Sequence, residues 1–352
     1  MRETALTSRF GLAAPIALAP MAGGPSTPAL AFAVSEAGGF GQLAGQYLSL
    51  DRLRADIREV RAHTSKPFAV NLFADDGAQA TPEQISQASQ VLQKYRTQLG
   101  LPPAAGLPRS VPLGESFAVL LEEKVPAFSF TFGIPPRALL QTCRDRGIVT
   151  MGTATCVSEA RELEQAGVDF IFAQGSEAGG HRGTFDRNSA PPLIGTMALV
   201  PQIASAVRTP VVAAGGIIDG RGVVAALALG ACGASLGTAF LRCPEAGTSA
   251  AYRAALKEAR DDSTVLTRAF SGRWARGLAN RFTREMQDAF IAPYAAQNGL
   301  TRDLRQASAK AGDSGLLSLW AGQAAPLGSE LPAAELFARI ARETEEVLTR
   351  LG

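Results

Sequence analysis

The chain has 352 residues, 46% hydrophobic and 19% charged, with 34 basic residues against 32 acidic ones and a net charge of +2. That balance describes a globular protein with a large buried core, and it offers no basic stripe for nucleic acid or for an anionic membrane surface. Cys143, Cys156, Cys232 and Cys243 lie far apart, with no C-x-x-C or Cys/His cluster, so reduced buried thiols are expected and no metal.

In chain order, short apolar runs that end in small-residue loops alternate with helical patterns. The first strand is read at residues 15–21 (PIALAPM), in an apolar stretch that carries a cleavage-like Ala17-Leu18-Ala19 but is interrupted by Pro15 and Pro20. A strand is therefore expected there, not a signal peptide. After Ala22-Gly23-Gly24, a helix over 28–37 starts on Pro28, where proline suits a first turn. Strand 40–44, an amphipathic helix over 50–63 and strand 67–73, which carries Asn71, follow. Residues 75–114 break the rhythm with a Gln-rich helix and LGLPPAAGLPRSVP, and read as an excursion outside the core. The alternation resumes with strand 127–133, helix 136–146, strand 148–154, helix 157–166 and a strand opening at Asp169. Helix 196–207, strand 210–214, helix 220–229 and strand 234–241 complete it. The charge-free run 222–241 is about as long as a membrane span, but Gly230, Gly233 and Gly237 split it into a buried helix and a buried strand. A cytoplasmic protein without membrane contact is expected, as a monomer or homodimer.

Eight near-continuously apolar strands, each but the last followed by a helix, predict a parallel sheet buried on both faces. Its natural closure is an α/β fold of the (β/α)8 TIM-barrel type. A doubly wound sheet is the alternative, weakened because no G-x-G-x-x-G follows the first strand. The expected organisation is a barrel over 1–243, a smaller and mainly helical cap over 244–328 that includes the Arg-rich FSGRWARGLANRF (270–282), and a C-terminal helix over 329–352 that packs on the barrel wall.

The chemistry concentrates in residues 169–185, DFIFAQGSEAGGHRGTF. An apolar strand delivers Gln174 and, seven residues on, His181 into a loop with Gly175, Gly179, Gly180 and Gly183, whose backbone can approach a ligand closely. His181 can exchange a proton near neutral pH; the alternative is a loop histidine satisfied by a backbone carbonyl. Gly215-Gly216 after the seventh strand and Gly237-Thr238 at the end of the eighth match the place where such barrels bind phosphate. One phosphate site points to a monophosphate ligand: FMN, a sugar phosphate or a nucleotide. Gln174, Asn71 and the backbone from Met21 to Gly23 end strands six, three and one, and offer amide groups to a flat ring, although Asn71 equally suits a strand-end turn. His63 reads as a helix C-cap and Cys156 as structural.

PIALAPMAG, NLF at Asn71, AQGSEAGGHRG (173–183), PVVAAGGIIDGRG (210–222), LGTAFL and FSGRWARGLANR together resemble the nitronate monooxygenase family. The resemblance implies a TIM barrel with non-covalent FMN, held by Met21, Ala22, Gly23, Asn71, Gln174, Gly179, Gly180, Gly215, Gly216 and Ser235, Leu236, Gly237 and Thr238. It implies His181 as the catalytic residue, Lys310 in SAKAG as the group facing an anionic substrate, and WAGQ (320–323) as a closing motif. It also implies the reaction, oxidation of alkyl nitronates, and of nitroalkanes, by O2 to a carbonyl compound and nitrite. The chain departs from the family in lacking tyrosines shortly before Lys310: the last is Tyr294, with Asn298, Arg302 and Gln306 after it. Two alternatives stand beside this reading, an FMN- and NAD(P)H-dependent enoyl-thioester or quinone reductase on the same barrel, and a flavin-free phosphate-binding barrel.

Overall fold

The apolar runs become the parallel strands of a barrel. A computed structural model describes residues 3–75, 79–104, 106–107, 111–187 and 190–351, so that 76–78, 105 and 108–110 of the excursion lie outside the described residues. In chain order the strands are β1 (Ile16–Leu18), β2 (Gly41–Ala44), β3 (Phe68–Phe73), β4 (Ala127–Thr131), β5 (Val149–Ala154), β6 (Phe170–Gln174), a two-residue β7 (Gly180–His181) that belongs to another sheet, β8 (Val211–Ala214) and β9 (Gly233–Leu236). The barrel order is β1-β9-β8-β6-β5-β4-β3-β2, all parallel. A bridge between Ala17 and Phe40 joins the two ends, with Phe40 N donating to the Ile16 carbonyl at 3.0 Å and Leu18 N to the Phe40 carbonyl at 2.9 Å. The protein is a (β/α)8 TIM barrel, as the strand pattern predicts.

Register sets the level at which side chains enter the barrel mouth. Ala44, Asn71 and Ser129 are neighbours across β2, β3 and β4, and one layer of side chains therefore carries a polar relay inside an apolar tube. Asn71 Nδ2 donates to Ser129 Oγ at 3.0 Å, Ser129 Oγ to Gln42 Oε1 at 2.8 Å, and Gln42 Nε2 to the Leu18 carbonyl at 2.8 Å. A buried amide or hydroxyl without partners costs several kcal/mol, and this chain of bonds removes that cost.

Three features differ from the sequence reading. A six-residue helix, Ala5–Phe10, precedes the first strand, and Leu6 and Phe10 plug the bottom of the barrel, the Phe10 ring 4.2 Å from that of Phe40. It is too short for helical periodicity to reveal. The last barrel strand ends at Leu236, not 241; Gly237 then leads into a 3-10 turn over Thr238–Phe240, so LGTAFL bends at the mouth instead of running on. The segment after it contains two strands, β10 (Thr264–Thr267) and β11 (Ala275–Leu278), antiparallel to each other, and β11 pairs antiparallel with β7 on its other edge. Strands of four residues that pair with a distant dipeptide carry no local signal.

The excursion also does more than its sequence suggests. Its helix Pro82–Gln98 starts with a Thr81/Gln84 capping box. Leu92 and Tyr95 on that helix pack with Phe270, Phe282 and Leu300 in a second core, outside the barrel. The terminal helix Ala333–Leu351 packs on helices Gly220–Ala228 and Pro28–Glu36 through Leu336, Phe337 and Ile340, and so takes the position of the eighth barrel helix. Residues 244–332 are thus inserted between β9 and its own helix. Among the described residues, no helix is long and apolar enough to cross a membrane, and no cluster of His, Cys, Asp and Glu is fit to hold a metal ion.

Candidate active site

A cavity opens at the C-terminal ends of the strands, where a barrel carries its chemistry. Met21 and Ala22 after β1, Asn71 on β3, Gln174 on β6, Gly179 to His181 on the following turn, Gly215 and Gly216 after β8, and Ser235, Gly237 and Thr238 at β9 all line it. On one side, among the described residues, the backbone N–H groups of Gly215, Gly216, Gly237 and Thr238 have no acceptor. Thr238 Oγ1 accepts from Gly322 N at 2.9 Å, which leaves its hydroxyl hydrogen uncommitted. Gly216 has φ +72°, a backbone conformation that strains a residue with a side chain. The result is a concave set of donors with no internal partner, suited to a phosphate.

The turn that carries His181 is held by buried polar side chains. Gln174 Nε2 donates to the His181 carbonyl at 2.9 Å while its Oε1 accepts from Gly183 N at 2.7 Å. Gln174 therefore shapes the loop first, with one amide hydrogen left for a ligand. Arg182, 1% exposed, donates to the carbonyls of Gly175 (2.6 Å), Gln174 (3.0 Å) and Pro192 (3.4 Å). Burial lowers its pKa to about 10, with Arg276 acting in the same sense, so the guanidinium remains charged at neutral pH. Glu177 accepts from Thr196 N and Thr196 Oγ1, each at 2.9 Å, and so caps helix Thr196–Ala206, whose own N-cap Gly195 has no side chain. Glu159 accepts from Thr155, Thr184 and Phe185 N and fixes the far end of the loop.

His181 stands on the side facing these donors, in a box of aromatic rings. Its ring centroid is 5.6 Å from those of Phe132 and Trp320, 6.0 Å from Phe73 and 6.3 Å from Tyr294. Nε2 lies 2.8 Å from Ser271 Oγ. Burial lowers its pKa to about 3, and the positive charges of Arg273 and Arg305 push in the same direction. The imidazole is neutral at physiological pH. Arg273 lies 3.8 Å above the Phe132 ring, paired with Asp75 at 2.7 Å and donating to the Thr184 carbonyl at 2.7 Å. Above the box, Tyr47 and Tyr294 hydroxyls meet at 3.3 Å, and burial raises both phenol pKa values.

Of the residues singled out in the sequence, Gly23, Leu236 and Lys310 do not reach the cavity wall. Leu236 is fully buried in the packing between barrel and helices, because alternate side chains of a barrel strand point outward. Lys310 ends helix Arg302–Lys310 and is exposed to solvent; the cation that acts on His181 from this helix is Arg305. Sequence reasoning missed Tyr47, Phe132, Ser271, Arg273 and Arg305. Tyr47 and Phe132 follow β2 and β4 at the active face, so position in the repeat was an available signal for those two, while Ser271 and Arg273 belong to the Arg-rich FSGRW stretch outside the repeat.

The family model described as "Nitronate monooxygenase" matches residues 4–343. A probable nitronate monooxygenase of Staphylococcus saprophyticus is 40% identical over 353 aligned residues, covering 99% of each chain. Among solved structures, a nitroalkane oxidase from Streptomyces ansochromogenes is 42% identical with a TM-score of 0.91, covering 99% of this chain and 100% of that one. FabK from Thermotoga maritima is 30% identical with a TM-score of 0.76, covering 100% and 99%.

Proposed function

Because the chain belongs to the nitronate monooxygenase family, we propose that it binds FMN at the barrel mouth and uses O2 to oxidise alkyl nitronates, and nitroalkanes after deprotonation, to a carbonyl compound and nitrite. The observation that carries this reading is one cavity with a phosphate-type donor set on one side and a neutral, boxed imidazole on the other.

The residues present fit the cofactor. The uncommitted N–H groups of Gly215, Gly216, Gly237 and Thr238 suit its phosphate, and the Thr238 hydroxyl adds a fifth donor. Asn71, whose amide nitrogen is tied to Ser129, keeps its amide oxygen for a ring N–H, and Ala22 offers backbone groups after β1, where the N–H and carbonyl of Met21 are engaged by Ser26. Bound there, FMN supplies the redox chemistry, taking electrons from the substrate and passing them to O2.

The chain's own residues do the rest. A nitronate is an anion, and the positive field of Arg305 and Arg273, which already disfavours protonation of His181, favours that anion in the aromatic box. The rings of Phe73, Phe132, Tyr294 and Trp320 enclose the apolar part of the substrate and exclude water. A neutral nitroalkane must first lose its α-proton, and His181, unprotonated and on the cavity wall, is the base. A base with so low a pKa is weak by itself. The anion formed beside the new imidazolium offsets the repulsion of the two arginines and draws the proton across.

The 42% identity to a nitroalkane oxidase along the whole chain supports this reading over the reductase alternative. Spectroscopy with turnover tests it: the purified protein is expected to be yellow, to consume O2 and release nitrite when given a nitronate, and to keep its flavin oxidised when mixed anaerobically with NADH. A colourless protein that takes up no FMN, or rapid bleaching by NADH without nitrite formation from nitronate, would refute it.

A further inference from the structure

Ser271 is 1% exposed, on the turn that leads into β11, and its hydroxyl has three polar neighbours. The Arg273 N–H lies at 3.3 Å, the Arg273 carbonyl at 3.2 Å and His181 Nε2 at 2.8 Å. A serine hydroxyl has one hydrogen and can accept two more. If that hydrogen goes to Nε2, the Arg273 carbonyl loses its donor, since no other described residue donates to it. One allocation satisfies all three contacts: Arg273 N–H donates to Oγ, Oγ–H donates to the Arg273 carbonyl, and the imidazole donates to Oγ through Nε2–H.

From this we infer that Ser271 is a positioning residue that fixes His181 as the Nε2–H tautomer and leaves Nδ1 as the unprotonated nitrogen open to the cavity. Nδ1 has no hydrogen-bond partner among the described residues and is not one of the sealed polar atoms, as a base facing substrate requires. The clamp is rigid. Gly272 has φ +87°, and a Cβ there would lie 2.6 Å from the Ala292 carbonyl oxygen and from Tyr294 N, so the turn is seated against the backbone beneath Tyr294. Arg273 is anchored to Asp75 and the Thr184 carbonyl, Arg182 N donates to the Trp274 carbonyl at 2.8 Å, and Gln174 holds the His181 carbonyl from the other side. When Nδ1 takes a proton, the Nε2–H···Oγ–H···O=C chain stays as it is, ending on a carbonyl dipole that favours the imidazolium, and no side chain has to turn. The inference deepens the reading of His181 as the base and rests on it for its kinetic meaning, whereas the tautomer itself can be observed without turnover.

The chain has two histidines, so the ring nitrogens can be assigned by 15N NMR of imidazole-labelled protein. His63 is an internal contrast: its Nδ1 lies 2.9 Å from the Glu59 carbonyl, an acceptor that calls for Nδ1–H. Above pH 7 the wild type is expected to show His181 protonated at Nε2 and bare at Nδ1. Ser271→Ala is expected to release that preference, with Nδ1–H appearing, and Ser271→Thr to restore it. In parallel, kcat/KM for a neutral nitroalkane should fall about tenfold or more in Ser271→Ala while that for the nitronate stays within about twofold, a split that a loss of folding would not produce. A wild-type spectrum showing Nδ1–H would overturn the inference even if the alanine variant did not fold, and so would an unchanged tautomer in Ser271→Ala. Absence of nitroalkane and nitronate turnover in the wild type would instead refute the functional reading and leave the tautomer result standing.

Discussion

Tyr47 and Phe132 are two of the three described non-glycine residues with positive φ, at 72° and 75°, and both rings stand in the group around His181. Such backbone costs about 1–3 kcal/mol per residue and persists where its surroundings over-determine it, most often at functional sites. The strain marks the aromatic box as a built feature. The opposite side of the cavity is built from glycine, and Gly216 is the place to test it. Its φ of +72° and a Cβ position 3.4 Å from that of Glu177 mean that Gly216→Ala strains the turn by about 1–2 kcal/mol and displaces its N–H. Titration of the apoprotein with FMN by fluorescence quenching is expected to give a Kd raised tenfold or more, with a small change in melting temperature; an unchanged Kd would remove Gly216 from the phosphate site. At this scale the sequence was legible where residue type and strand end coincide, as for His181, Asn71 and the Gly-Gly pair after β8. It was not legible for Lys310, because helix phase decides which side chain faces inward and Arg305 has the inward phase. Nor did it reveal that the Gln174 amide is engaged mostly with its own loop.

A chain of ring contacts joins the excursion helix to the site: Tyr95 to Phe282 at 4.9 Å, Phe282 to Phe270 at 4.7 Å, Phe270 to Trp320 at 5.4 Å and Trp320 to His181 at 5.6 Å. Helix Pro82–Gln98 and the segment after β9, far apart in sequence, thus share one core over the barrel mouth. Arg96, 3% exposed, ties them through Nη2, which donates to both carboxylate oxygens of Asp303 at 2.8 Å. Phe282→Ala leaves a cavity in this core and is expected to cost about 3–5 kcal/mol of local stability. The consequence is a protease-sensitive cap and a raised KM for nitronate with FMN still bound, measured by limited proteolysis and steady-state kinetics; loss of FMN with an intact cap would contradict the separation of the two cores. The barrel elements were readable because each parallel strand is a short apolar run between helices. The second core was not, since its parts are amphipathic pieces whose partners lie about two hundred residues away, and β11 pairs with the distant β7 and, among the described residues, β10 only with β11.

The whole molecule is a barrel in which one insertion, between β9 and its helix, folds back over the site and meets the excursion after β3. Its last helix closes the seam between the first and seventh barrel helices, with Gly39 beneath Phe337 and Gly220 against the backbone at Glu343 and Thr344. That closure places the ends of β1, β8 and β9 side by side, with His181 hung over them by β7 and β11. The chemistry proposed for the molecule depends on this juxtaposition: donors for a flavin phosphate on one wall, an unprotonated imidazole on the other. Its most direct test is the comparison of His181→Asn with wild type on a neutral nitroalkane and on the matching nitronate, with FMN content measured in both. FMN content is expected to be unchanged and kcat/KM for the nitroalkane to fall about a hundredfold or more, with that for the nitronate within a few-fold. Equal losses on the two substrates would contradict the proposed chemistry.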